Sequence, residues 1–167
     1  MSYLTQPESR KAIAAALESY MADTAVLYFK THGYHWNVEG RNFRDRHKMF
    51  EEHYNELWSS LDEIAERIRA LGFKAPFSLN SLLGKASLKE AEGTPACKVM
   101  VEDLRDGNML LSNAAQGVAD VSEAHGDRVT ADLMTQHSAR LEKNAWMLNS
   151  ILSGSCCSCK GPCTCGK

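Results

Sequence analysis

The stretch YHWNVEGRNFRDRH, Tyr34 to His47, decides how the whole chain is read. Two histidines, His35 and His47, stand on either side of an Asn-Val-Glu-Gly break. Upstream of the break, Ile13, Leu17, Tyr20, Thr24, Leu27, Thr31 and His35 recur at steps of three and four, the spacing of one helix face. This predicts a helix over Ser9–His35. Downstream, the same spacing runs through Phe43, His47, Phe50, Tyr54, Leu57, Leu61, Ile64, Ile68 and Leu71. With no Gly or Pro inside, it predicts one long helix over Phe43–Leu71, stopped by Gly72 and Pro76.

The rest of the chain follows the same pattern. A polar connection of about 24 residues, with a short helix near Leu79–Leu83, leads to a third long helix from about Cys97 to Val121. The break EAHGD precedes a fourth, from about Val129 to Leu152. No run of alternating β-branched residues suggests a sheet. The expectation is an all-α four-helix bundle over residues 1–153, with one long crossover between the second and third helices. Residues 154–167 form a separate cysteine-rich tail.

Composition sets the outer limits. At 167 residues, 44% hydrophobic and 24% charged, the chain suits one soluble domain with a sizeable core. No apolar run approaches the ~20 residues of a membrane helix. The N-terminus lacks the charged and apolar regions of a secretory signal, so a cytoplasmic protein is expected. Arg10 and Lys11 are the only basic residues among the first 29, and Lys160 and Lys167 among the last 20. Such ends offer no basic tail to displace counterions from DNA.

Asp62 and Glu66 begin 15 residues beyond His47 and lie four apart, so they share a helix face beside Leu61 and Ala65. Each of the four residues has a plain reading singly: a packed histidine, a solvated carboxylate. Together they suggest a metal site. The short break makes the first two helices antiparallel and sets the two imidazoles side by side at one end. Fifteen helical residues span roughly 22 Å and return to within about 60° of the same face. The histidines and carboxylates therefore point the same way from distant levels. Two copies with their second helices antiparallel across a two-fold axis would bring one copy's histidines to the other's carboxylates, giving two identical sites. Mixed imidazole and carboxylate ligands suit iron, zinc or manganese. Glu51, one turn beyond His47, offers a further carboxylate.

HGYHWNVEGRNFRDRHKMFEEHYNELWSSLDEIAERI, from His32 to Ile68, closely resembles the signature of the Dps family, the small ferritins named as DNA-binding proteins from starved cells. The resemblance extends over about residues 8 to 152 and includes VLYFKTHGYHWNVEG and, in the last helix, NAWML. It implies the ferritin-like arrangement and a hollow dodecamer built from two-fold dimers. It also implies oxidation of Fe(II) at the dimer interfaces, preferentially with hydrogen peroxide over O2, with Fe(III) stored inside. By match, His35, Asp62 and Glu66 would hold the tighter iron, with Glu66 bridging. His47 and Glu51 would serve a second, weaker position, and Trp36 would stand beside the site. The family's acidic iron-entry pores correspond to SEAHGDRVTAD, with Glu123, Asp127 and Asp132 as lining residues. Those three acids read equally well as caps and surface charge, and Arg128 stands where some relatives carry an acid.

The tail CCSCKGPCTCGK departs from the family pattern. It places Cys156, Cys157, Cys159, Cys163 and Cys165 within ten residues, a density that suits Cu(I) or Zn(II), or thiol redox chemistry. Five of the six cysteines lie there and only Cys97 lies in the body, so no disulfide framework is indicated. An iron-oxidising cage is thus the leading expectation. Its rivals are a DNA-compacting protein, which the ends of the chain disfavour, and a structural helical oligomer, which four converging ligands disfavour.

Overall fold

A computed structural model describes residues 6–153. The described residues form five helices: α1 (Pro7–Asn37), α2 (Phe43–Ala70), α3 (Leu79–Leu83), α4 (Cys97–Ala124) and α5 (Arg128–Ser153). Each long helix falls within a few residues of its expected span, and α3 matches its expected range. Pro7 opens α1, where its missing N–H costs nothing. The chain turns into α2 through Gly40 (φ 95°) and the left-handed Asn42 (φ 61°). Gly72 (φ 97°) ends α2, and Gly126 (φ 76°) lets α4 and α5 meet at a corner only three residues long.

α1 packs against α2 and α4, and α4 packs along α5. Ile13, Leu17, Leu27, Ile64, Leu104 and Met134 are among the residues closed in the shared core. Polar ties fix the helices in register. Lys30 Nζ donates to Asp103 Oδ1 at 3.0 Å and the Tyr34 hydroxyl to Asp103 Oδ2 at 2.7 Å, joining α1 to α4. At the opposite end, Arg67 reaches both Asp127 oxygens at 2.8 Å, joining α2 to the start of α5. The long crossover is strapped to α1 by Asp23, whose carboxylate accepts from Ser87 N at 2.6 Å, Ser87 Oγ at 2.8 Å and Leu88 N at 2.8 Å.

The expected stripe of α2 is buried at Phe50, Leu57, Ile64, Ile68 and Leu71, and differs at two of its middle positions. His53 and Ser60 are buried on the core side, while Tyr54 and Leu61 are half-buried and Phe43 is exposed. Tyr54 faces rings of α1, and Leu61 lies at the edge of a groove between α1, α2 and α3.

Candidate metal centre

His35 lies in the last turn of α1 and His47 in the first turns of α2, and the short break folds them onto each other. Each ring nitrogen Nδ1 is 2.8 Å from the other histidine's backbone carbonyl oxygen. A carbonyl only accepts, so both Nδ1 atoms carry a proton and donate. Both Nε2 atoms are then left with a free lone pair, the form in which imidazole binds a metal. The rings stack at 3.8 Å with an interplanar angle of 19°. Backbone groups that exist in any helix thus set two side chains in the tautomer a metal requires.

A collar of rings surrounds the pair. Phe43 stacks on His47 at 5.1 Å, and Tyr54 meets His35 edge-on at 5.2 Å. His32, absent from the ligand set expected from sequence, stacks on Tyr54 at 3.9 Å and lies 4.2 Å from Trp36. Its Nδ1 is 3.2 Å from the Tyr28 hydroxyl. Burial, and then the neighbouring His35, lower its pKa. The signal for it is present in the sequence: His32 precedes His35 by three residues and so shares its side of α1. Trp36 is 58% exposed beside this cluster.

Glu51, Asp62 and Glu66 are all exposed, and Leu61 and Ala65 beside the latter two are half-buried. Among the described residues, no three His, Cys, Asp or Glu side chains of one chain converge as a metal-binding group. Asp62 instead lines an open groove between α1, α2 and α3, together with Met21, Ala25, Trp58, Leu79 and Leu83. Trp58 is 61% exposed there and Leu79 77%. Asp62 thus adjoins an apolar surface that the described residues leave uncovered.

The three acids of the α4–α5 corner separate. Glu123 and Asp132 line a shallow groove with Arg128 and Thr135. Asp127 is 6% exposed and turned inward. It caps α5 through Thr130 N at 3.1 Å and Thr130 Oγ1 at 2.5 Å, besides holding Arg67. Burial opposes its ionisation, but the Thr130 hydrogen bonds and Arg67 outweigh it and hold the carboxyl below its ordinary range. Within one chain its carboxylate is held by Arg67 and Thr130. The five tail cysteines lie outside the described residues, and Cys97 is a half-buried free thiol.

The bundle with its single crossover is that of a ferritin-like protein. The ferritin-like domain family matches residues 14–154. The DNA protection during starvation protein of Brevibacillus brevis is 36% identical over 143 residues, covering 86% of this chain and 96% of that one. General stress protein 20U of Bacillus subtilis is 34% identical, covering 82% and 94%. Among solved structures, the DPS protein of Vibrio cholerae O1, described as belonging to a superfamily of ferritin-like diiron-carboxylate proteins, superposes with a TM-score of 0.85. It is 32% identical and covers 89% of this chain and 93% of its own. The Dps protein of Bacillus brevis superposes at 0.84 with 35% identity, covering 87% and 97%. The chain belongs to the Dps family.

Proposed function

We propose that the protein is a ferroxidase and iron store that assembles as a dodecameric cage in the cytoplasm. It oxidises Fe(II), preferentially with hydrogen peroxide, at sites shared across a two-fold interface, and keeps the Fe(III) product inside. One observation carries this reading: the reciprocal hydrogen bonds that leave His35 Nε2 and His47 Nε2 both free to bind metal. A second copy seated on the apolar groove would add Asp62 and Glu66, with Glu66 bridging two iron positions and Glu51 and His47 serving the weaker one. Two Fe(II) ions together supply the two electrons that reduce one peroxide to water, so paired sites avoid a one-electron product. Glu123 and Asp132 remain as acids for an iron-entry pore, with Arg128 in the same groove weakening its field.

Binding DNA is a weaker reading. It is favoured by the Brevibacillus relative's name and disfavoured by the scarcity of basic residues at both ends of this chain. The tail, in this proposal, binds Zn(II) or Cu(I) independently of the iron site.

The test is substitution. Losing a group that only orients a ligand costs about 10–100-fold, so losing a ligand in His35→Ala or Glu66→Ala should cost at least that. Oxidation would be followed by ferric absorbance after anaerobic Fe(II) loading and peroxide addition. Rapid oxidation at the unsubstituted rate by either assembled variant would remove the site from consideration.

A further inference from the structure

The iron chemistry proposed above uses no residue of the bundle core, yet a polar chain crosses that core beneath the groove that Asp62 lines. Tyr20 on α1 is 2% exposed, and its hydroxyl is 3.3 Å from His137 Nδ1 on α5. His137, 1% exposed, places Nε2 2.7 Å from Glu63 Oε2 on α2. Arg140 Nη2 donates to that same oxygen at 3.0 Å. A narrow cleft lined by Ser60, Arg140 and Asn144 reaches Tyr20 and His137.

The proton positions follow from the partners. Glu63 Oε2 accepts from the permanently charged Arg140 guanidinium and faces His137 Nε2 at the same oxygen. A carboxylate only accepts, so His137 Nε2 carries the proton. Nδ1 is then a lone pair, and the Tyr20 hydroxyl donates to it. Burial pushes the phenol's pKa up, so the phenol does not ionise alone. Losing an electron and losing the proton therefore go together, and the proton has one base to go to.

We infer that Tyr20, His137 and Glu63 form a proton-coupled redox relay that takes up stray oxidising equivalents. A hydroxyl-radical-class oxidant takes one electron from Tyr20 and becomes hydroxide. The phenolic O–H bond breaks and an N–H bond forms at His137 Nδ1. This leaves a neutral phenoxyl radical beside an imidazolium paired with Glu63. Fe(II) then returns one electron, becoming Fe(III), and the proton goes back to the phenol. No side chain is consumed. Glu63 lines the same groove as Asp62, so the relay ends on the iron side of α2. The source of the oxidant rests on the proposed iron site; the relay itself does not.

The experiment separates the two. Intact iron-free protein is oxidised photochemically with a ruthenium(III) polypyridyl complex and freeze-quenched for electron paramagnetic resonance. A tyrosyl radical is expected, formed more slowly in deuterated water. Tyr20→Phe should lose it, and His137→Gln, which accepts a hydrogen bond without taking a proton, should lose both radical and isotope effect. Tyr28→Phe, in the collar around His35, should keep it. A radical that survives Tyr20→Phe, or that disappears with Tyr28→Phe, overturns the relay. If Tyr20→Phe fails to assemble, the isotope effect in unsubstituted protein decides, and its absence overturns the relay. The same samples are then given Fe(II) and peroxide. Full-rate iron oxidation with no radical under either oxidant sinks the relay alone. A photochemical radical with no iron oxidation sinks the iron reading and leaves the relay standing.

Discussion

His53 occupies a core position on α2 where an apolar side chain would be expected. It is 2% exposed, and neither ring nitrogen has a hydrogen-bond partner among the described residues. Burial pushes its pKa down from 6.5 to about 4, with Glu56 opposing only weakly. The sign of the linkage follows. Between those values the unfolded chain binds a proton that the folded one refuses, so stability is complete above pH 6.5 and is lost as pH falls toward 4. The difference amounts to about 3 kcal/mol at the acid end, at 1.36 kcal/mol for each pH unit. His53→Leu should remove that loss and also an unsatisfied polar group worth about 1–3 kcal/mol. Thermal melts at pH 7 and pH 5 check this. The variant should melt no lower at pH 7 and should lose less on acidification, and an equal loss in both proteins would refute the assignment. His137, also lowered chiefly by burial, acts in the same direction and is common to both proteins. The contrast with His35 and His47 is instructive. Their spacing was legible as a site, whereas the missing partners of His53 depend on packing across α2 that one-dimensional spacing does not carry.

At the scale of the helices, most of the architecture was legible because the signals are local. Steps of three and four mark a helix face wherever it packs, and Gly and Pro punctuate the ends. The burial of His53 and Ser60 beside that stripe was not legible. Tyr54 and Leu61 are more apolar than His53 and Ser60, so a stripe drawn by hydropathy takes in the first pair and misses the second. The two glycines inside α4 also look alike in sequence and differ in the fold. A Cβ at Gly107 would lie 2.7 Å from Leu27 Cδ1, in a closed part of the core, whereas one at Gly117 meets nothing within 4 Å. Alanine in a helix interior gains about 0.5–1 kcal/mol over glycine, but overpacking a core costs about 1–3 kcal/mol. Gly107→Ala should therefore lower stability by about 1 kcal/mol, the difference of those two effects. Gly117→Ala should raise it by about 0.5–1 kcal/mol. Urea unfolding of the two variants side by side tests the pair, and the reverse order would mean that Leu27 moves aside freely.

On the scale of the whole molecule, the proposed site needs a second copy, and the apolar groove is the place for it. The crossover puts Leu79 and Leu83 on the rim, and α2 adds Trp58. Leu79→Glu, which replaces no proposed iron ligand, should split the dimer and abolish rapid iron oxidation together, as followed by light scattering and ferric absorbance. An assembled variant oxidising at full rate would place the interface elsewhere. The tail should behave in the opposite way. Its five cysteines fall within ten residues of sequence and differ in chemistry from the imidazoles and carboxylates on the helices: sulfur suits Cu(I) or Zn(II), and hard oxygen with imidazole suits iron. Thiolate binding releases protons, so affinity for the soft metal should fall as pH drops. Removing residues 155–167 leaves every described helix residue in place, since α5 ends at Ser153. The truncated protein should therefore lose Zn(II) and Cu(I) uptake, measured by equilibrium dialysis under reducing conditions, and keep its iron oxidation rate. Loss of iron oxidation on truncation, or equal soft-metal binding with and without the tail, would show that the thiols serve another purpose.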